Sequence, residues 1–445
     1  MKKTFLILAL IIVHCTLLID KCECQWVAQT LPVNPEMIYC VKFWNKNTGW
    51  MSTGNSTASY SPQILKTTNG GNNWSVIRNN LRIYNFQIMD SLTIYGYGFM
   101  NGYNMINRTF DGGASWDSVS YSFGYSYKGL YFFDKDTGYV GTSDGNWGYV
   151  FKTTNGGVTL NQLYKHNASS FGEQMIFFKE KVNGEYYGYC VAGNAYMYKT
   201  TNSGINWAQL SGGLGIYQNG YYFINKDTGW VSNVSTTHVI QHTTNGGINW
   251  INQYISLFSN YYPYGLYFSS YNKGWAGASD GYLVYTTTNG GQTWGRQITP
   301  NNRTGGLFFL DSSNGWNYSG FQTAPYISHT TNGGGVIIGI TKDSSTNNIP
   351  KNYTLKQNYP NPFNNNTIIE YSLIKKATIG INIYDISARS VYDMTANNLE
   401  PGKYKLSLDF GVLNLPSGIY FYNFIAINKK GIQQYSETKK LMYVK

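Results

Sequence analysis

Hydrolysis of a glycosidic bond calls for two carboxylates, or a tyrosine–glutamate pair, converging on one point. In this 445-residue chain the region 25–336 has only three acids that stand apart, Glu173, Glu180 and Glu185. Asp111, Asp134, Asp136, Asp144, Asp227, Asp280 and Asp311 all lie in turn-like phrases, where a carboxylate bonds neighbouring backbone N–H groups. No His-Glu-x-x-His, Cys-x-x-Cys, Gly-x-x-x-x-Gly-Lys or Gly-x-Ser-x-Gly phrase occurs, so no signature of a metal site, cofactor or activated nucleophile is present. We expect no catalytic residue, no metal and no cofactor. The richer chemistry is aromatic. Tyr121, Phe123, Tyr125 and Tyr127 cluster in one stretch and Phe258, Tyr261, Tyr262 and Tyr264 in another, with Trp147 and Arg303 as companions. A tyrosine ring offers a flat apolar face with a polar tip, suited to stacking on sugars or anchoring a protein surface. The expected ligand-binding set is Tyr125, Tyr127, Trp147, Tyr261, Tyr262, Tyr264 and Arg303. The alternative is that these rings pack a central channel or cover sheet edges.

The elements that must position them follow from a repeat. The phrase Thr-Thr-Asn-Gly-Gly, with Trp shortly after, returns seven times, its Asn or Asp at Asn69, Asp111, Asn155, Asn202, Asn245, Asn289 and Asn332. The intervals are 42, 44, 47, 43, 44 and 43 residues. Repeats of that length, made of short apolar runs and Gly-rich turns, predict an all-β, seven-bladed propeller with four-stranded blades. One copy reads as strand A at Leu266–Phe268, B at Trp275–Ala278, C at 282–287 and D from Trp294. Strand A and its turn recur as Phe43…Gly49-Trp50, Phe132…Gly138-Tyr139, Phe223…Gly229-Trp230 and Phe309…Gly315-Trp316, with degenerate second and fourth copies. The seventh box has no Trp and no D strand, whereas the N-terminal segment opens Gln25-Trp26-Val27-Ala28-Gln29, like the post-box phrase Trp207-Ala208-Gln209. Residues near 26–31 are therefore expected to supply the outer strand of the last blade and remove an open edge.

On this plan A–B turns and C–D boxes share one face, and B–C turns and D–A loops the other. The listed aromatics fall mainly on the second face, in the variable D–A loops, where function is commonly carried on a rigid scaffold. His242 and His329 occupy the strand-C position held elsewhere by Lys66, Lys152 and Lys199, so they read as strand residues, not ligands.

The box resembles the Asp-box (BNR) hairpin, roughly Ser/Thr-x-Asp-x-Gly-x-Thr-Trp, found in sialidases, sortilin-type receptors and the photosystem II assembly factor Ycf48 group. Spacing and the strand-A phrase are most similar to the last group, over residues 26–336. This chain departs from the pattern with Asn in six boxes, Leu160 for Trp in the third and Ser203 for Gly in the fourth. The sialidase resemblance implies an arginine triad, but the five arginines here, Arg78, Arg82, Arg108, Arg296 and Arg303, are hard to assemble into one. A non-catalytic binding or adhesion module is the expected function. A glycoside hydrolase of Asp-box type, and an assembly scaffold by analogy with Ycf48, are the alternatives.

Charged residues make up 12% of the chain and aromatics 17%, a composition expected of an extracellular β protein. Met1-Lys2-Lys3 and the apolar run Phe5 to Val13 predict a signal peptide over 1–24, too short to anchor in a membrane. Cys40 and Cys190, far apart around the ring, are expected as buried thiols. Net charge is +11, spread without an Arg/Lys stripe, which argues against nucleic-acid binding.

After the last box a polar linker is expected at 337–352, then a second small β-sandwich over 353–445. It opens Gln357-Asn358-Tyr359-Pro360-Asn361-Pro362-Phe363-Asn364 and continues through Gly418-Ile419-Tyr420. These residues resemble the type A sorting domain of the type IX secretion system, with Asn358, Pro360, Asn361, Pro362, Phe363, Gly418 and Tyr420 as its motif. One departure is Ala388, where the family usually has Gly before Arg389, which is expected to shift a turn. The resemblance implies export to the outer surface or medium, with the secretion machinery as partner, beside an unknown glycan or protein ligand.

Overall fold

The computed structural model describes residues 26–444, apart from 34, 55–60, 101–102, 121–125, 168–172, 193–195, 211–215, 234–238, 255–262, 279–282, 293, 301–305, 320–324, 335–337, 343–348, 365, 411–414 and 429. The predicted leader 1–24 lies outside these residues. Among the described residues every regular element is a strand. Among the described residues seven consecutive four-stranded antiparallel sheets form the blades. Blade one is Met37–Phe43, Gly49–Gly54, Gln63–Thr67 and Ser75–Asn79; blade six is Pro263–Phe268, Gly274–Ala278, Leu283–Thr287 and Gly295–Ile298. The A strand of each blade packs on that of the next, and blade seven on blade one, so the A strands surround a central axis.

The ring closes as the sequence predicts. Blade seven takes Gly306–Phe309, Gly315–Tyr318 and Ile327–Thr330 from its own repeat and Val27–Gln29 from the N-terminus, with Val27 opposite His329 and Gln29 opposite Ile327. Trp26 is buried, its Nε1 donating to Gln297 Oε1 at 3.0 Å.

Each box is a closed hydrogen-bond circuit. In blade one the Thr67 hydroxyl donates to Asn69 Oδ1 at 3.0 Å and accepts from Gly71 N at 2.9 Å, while Asn69 Oδ1 accepts from Asn73 N at 2.9 Å. The Thr–Asn/Asp and Gly–Thr bonds recur in all seven boxes. Gly70 and Gly71 sit at φ 73° and 94°, backbone that side chains with a Cβ rarely adopt. Ser203 takes that conformation in the fourth box, φ 56°; its hydroxyl compensates by donating to Glu185 and accepting from Tyr186 N.

Neighbouring blades are joined through the strand-B aromatic. Trp230 Nε1 donates to Gly290 O in the next box at 3.1 Å, while Phe268 of that next blade stacks on its ring at 3.5 Å. Trp50, Trp275 and Trp316 donate to Gly112, Gly333 and Gly70 in the same way, the last closing blade seven on blade one. Where the residue is Tyr95, Tyr139 or Tyr189, the hydroxyl reaches a carbonyl of the next blade instead. A residue with a broad apolar face and a donor at its edge satisfies both demands. The stacked phenylalanine also fixes the glycine of the Gly-Trp/Tyr phrase: a Cβ on Gly274 would lie 2.4 Å from the Phe268 ring.

The C-terminal part is two four-stranded sheets around one core, which includes Ile369, Leu373, Ile381, Tyr422, Phe424 and Leu441. One difference from the sequence reading is Ile338–Lys342. Placed there in the linker, it is an edge strand of this sandwich, paired with Gly402–Asp409. Its Ile340 packs against the core, and five paired positions join the stretch to the sheet.

Candidate ligand-binding surfaces

Of the expected binding set, Trp147 is placed as a surface residue. It sits in the B–C turn of blade three, 40% exposed. The turn is built by Asp144, whose Oδ1 accepts from Asn146 N at 2.9 Å and Trp147 N at 2.7 Å, while Oδ2 accepts from Tyr149 Oη. These bonds, the Trp147 amide first, hold the Asp144 carboxyl below its usual range. Lys165 Nζ stands 4.2 Å over the Trp147 ring and 5.6 Å from that of Tyr149, so a cation is already built into this aromatic surface.

Tyr127 is a correction. Strand A of blade three begins at Ser126, not after the aromatic run, and pairs Tyr127 with Thr142. Its side chain is 6% exposed and packs with Tyr95, Ile106, Phe132 and Val140; apolar burial between blades wins over display. Tyr264 lies in strand Pro263–Phe268 opposite Gly277, its side chain outside the described residues. Tyr125, Tyr261, Tyr262 and Arg303 also lie outside them, as do Tyr121, Phe123 and Phe258.

The polar candidates are mostly committed to structure. Asp134 Oδ1 accepts from Asp136 N and Thr137 N, and Asp311 Oδ1 from Ser313 N and Asn314 N. Glu185 accepts from Ser203, and Arg108 pairs with Asp117 while donating to Gly156 O. His242 and His329 stack on Trp230 and Trp316 at 4.7 and 4.4 Å, and burial lowers both to about 4. Cys40 and Cys190 are free and buried; burial pushes the Cys40 thiol up to about 12. Among the described residues no group of three or more His, Cys, Asp or Glu could hold a metal, and no helix is long and apolar enough to cross a membrane.

A ring of residues escaped the sequence reading. The position before the interface phenylalanine of each strand A is Lys42, Asn85, Tyr131, Ile176, Tyr222, Tyr267 and Phe308, and all seven are half-buried. They belong to the A strands, close to the A–B turns, and five of them, Tyr131, Ile176, Tyr222, Tyr267 and Phe308, pack against the buried clusters between blades. Tyr222 and Tyr267 lie 5.0 Å apart, and Lys42 Nζ stands 5.3 Å from the Phe308 centroid. Burial, opposed weakly by the Cys40 thiol, pushes the Lys42 ammonium down. The signal was available in the repeat alignment: one charged residue at a position uncharged in the other six copies.

In the C-terminal sandwich the opening motif is tied to the last strand. Asn358 is buried, its Nδ2 donating to Pro360 O and Thr367 Oγ1, and its N–H donating to Tyr422 Oη. Asn361 Oδ1 accepts from Met442 N at 2.8 Å, and Phe363 exchanges backbone bonds with Met442 and Val444. Tyr420 Oη donates to Pro416 O, just before Gly418. At the turn, Ala388 adopts φ 59° while Asp385 Oδ1 accepts from Ser387 N and Arg389 N.

Solved structures share this architecture at low identity. Ycf48 bound to D1 peptide superposes with a TM-score of 0.55 at 15% identity, covering 69% of this chain and 96% of its own. Ycf48 from Cyanidioschyzon merolae gives 0.52 at 17%, covering 68% and 98%. A streptogramin B lyase gives 0.54 at 11%, covering 69% and 97%. At these identities the likeness is one of β-propeller fold. No curated protein is significantly similar in sequence. Residues 357–441 match the family model of the secretion system C-terminal sorting domain, so the C-terminal sandwich is an address for export by the type IX machinery to the cell surface or beyond.

Proposed function

We propose that the propeller is the cargo of that address and works there as a non-catalytic binding or adhesion module for a glycan or protein ligand. The observation that carries this reading is the use of most of its described aspartates. Asp90, Asp111, Asp134, Asp144 and Asp311 accept turn amides, and Asp117 and Asp227 pair with Arg108 and Lys226. A hydrolase needs carboxylates released from such duties and facing one another. Exposed Trp147 with its attendant Lys165 supports ligand contact on the B–C turn side. That Ycf48, of similar fold, was solved bound to a peptide is consistent with a propeller that recognises rather than converts.

The test is a glycan array and a cell-surface pull-down with the exported chain, alongside Trp147→Ala. Binding reduced about tenfold or more by that change, a loss of roughly 1.4 kcal/mol, supports the reading. Turnover of sialosides or β-glucans by the purified protein, abolished by replacing one acid, would show a glycoside hydrolase instead.

A further inference from the structure

The C-terminal sandwich carries a pocket of about 460 Å³ on the outer face of one sheet, a size that holds a small ligand or a few side chains. Alternation puts it there. Ile369, Tyr371 and Leu373 of one strand and Tyr404, Leu406 and Leu408 of its neighbour turn into the core, so Glu370, Ser372, Lys403 and Lys405 turn outward. Two cross-strand rows result. Glu370 stands opposite Lys405 with Lys356 paired to it from the other side, and Ser372 stands opposite both Lys403 and Thr354. Lys351 lines the pocket as well, and all four lysines are exposed.

The charge of this pocket is only partly neutralised. Glu370 Oε2 accepts from Lys356 Nζ at 2.7 Å, and its Oε1 faces Lys405 Nζ at 3.3 Å. The Lys356 bond, then that of Lys405, holds the carboxyl below its usual range. Among the described residues Lys351 and Lys403 enter no ion pair. The hydroxyls have no proton left for an anion. Ser372 Oγ donates to Asn352 O at 2.8 Å, so the 2.7 Å contact with Thr354 Oγ1 takes the threonine proton. Anion binding therefore falls to the ammoniums. Lys356 and Lys405 flank the Glu370 strand, their roots about 10 Å apart. Cations spread in this way, with a carboxylate between them, suit acid groups spaced along a chain. A single phosphate calls instead for donors converging on one point.

We propose that this pocket is the surface by which the export machinery reads the sandwich, through an acidic loop whose Asp or Glu side chains pair with Lys351 and Lys403. The inference rests on the address carried by residues 357–441 and adds the chemistry of its reader. Lys351 and Lys403 supply the unpaired charge, while Lys356 and Lys405 offset the repulsion between Glu370 and the incoming acid. Charge pairs of this kind steer association and fix register across an interface.

The experiment follows export of the full-length chain by immunoblots of envelope, cell surface and medium. It compares wild type, Lys351→Glu/Lys403→Glu, Lys351→Arg/Lys403→Arg and the 353–445 deletion. The reversed pair is expected to build up in the envelope, its exported fraction lower by about tenfold or more, whereas the arginine pair is exported normally. In a parallel titration of the purified chain, hexaglutamate peptide should bind at low salt, more weakly at about 0.3 M salt, and not to the reversed pair. Inorganic phosphate should bind less tightly than the peptide. Export of the reversed pair at the wild-type level, loss of export in the arginine pair, or phosphate binding tighter than the peptide each overturns the proposal. Melting curves confirm that the reversed pair is folded, and Lys351→Gln/Lys403→Gln carries the test if it is not. If the reversed pair is exported while the deletion is retained, the pocket falls and the address stands; export of the deletion would remove both.

Discussion

Ala388 and the two stacked histidines show how much a single position can store. Ala388 holds a left-handed backbone that glycine adopts freely, because the Asp385 bonds to Ser387 and Arg389 fix the turn around it. Replacing a strained non-glycine at positive φ relieves it, so Ala388→Gly is expected to raise stability by about 0.5–1 kcal/mol, read as an increased melting temperature of the sandwich. His242 and His329 work through protonation. Unfolded, each titrates near 6.5; folded, burial holds each near 4. Between those values the unfolded chain binds protons that the folded one refuses, so stability is full above pH 6.5 and drains as pH falls toward 4. Thermal melts from pH 7.5 to 4.5 should show that slope, flattened in the His242→Gln/His329→Gln double variant. At this scale the box residues could be read directly, since Thr67, Asn69 and Gly71 bond one another within five residues. Tyr127 could not, because its fate depends on where a strand starts and on Tyr95 of the preceding blade.

The N-terminal strand is the element on which the ring depends. Three residues, Val27–Gln29, pair with Ile327–His329, and Trp26 anchors them by packing edge-on to Phe309 at 5.8 Å. Trp26→Ala removes a buried ring and its bond to Gln297, and is expected to cost about 3–5 kcal/mol, whereas Val27→Ala, a change at a 56% exposed side chain, should stay within about 0.5 kcal/mol. Urea denaturation monitored by tryptophan fluorescence separates the two. The strand could be found by sequence because Trp26-Val27-Ala28-Gln29 copies the phrase that follows other boxes. The strand Ile338–Lys342 could not: it belongs to no repeat, and its apolar alternation is too short to outweigh the polar residues after it. The strand-A position before the interface phenylalanine lay between these cases, visible in the alignment of copies and without meaning until the A strands were seen to pack on one another.

At the scale of the whole molecule two units divide the labour. The propeller carries the aromatic surfaces, while the sandwich carries the export family's residues 357–441. Deleting residues 353–445 should leave the propeller inside the cell envelope, whereas the intact chain reaches the surface or medium; immunoblots of cell, envelope and medium fractions distinguish these outcomes. That division was plain in the sequence because the box phrases stop at Asn332 and the Asn-Tyr-Pro-Asn-Pro-Phe phrase begins soon after. Where one unit hands over to the other was not. Ile338–Lys342 pairs residue by residue with Tyr404–Leu408, although it precedes the family match. A peptide-bond break anywhere between Lys342 and Thr354 would thus sever the covalent thread and leave a five-residue β-ladder fastening the two products. Scission and parting become distinct events, the second governed by how fast that ladder unzips, so a nicked molecule can travel as one particle before it becomes two.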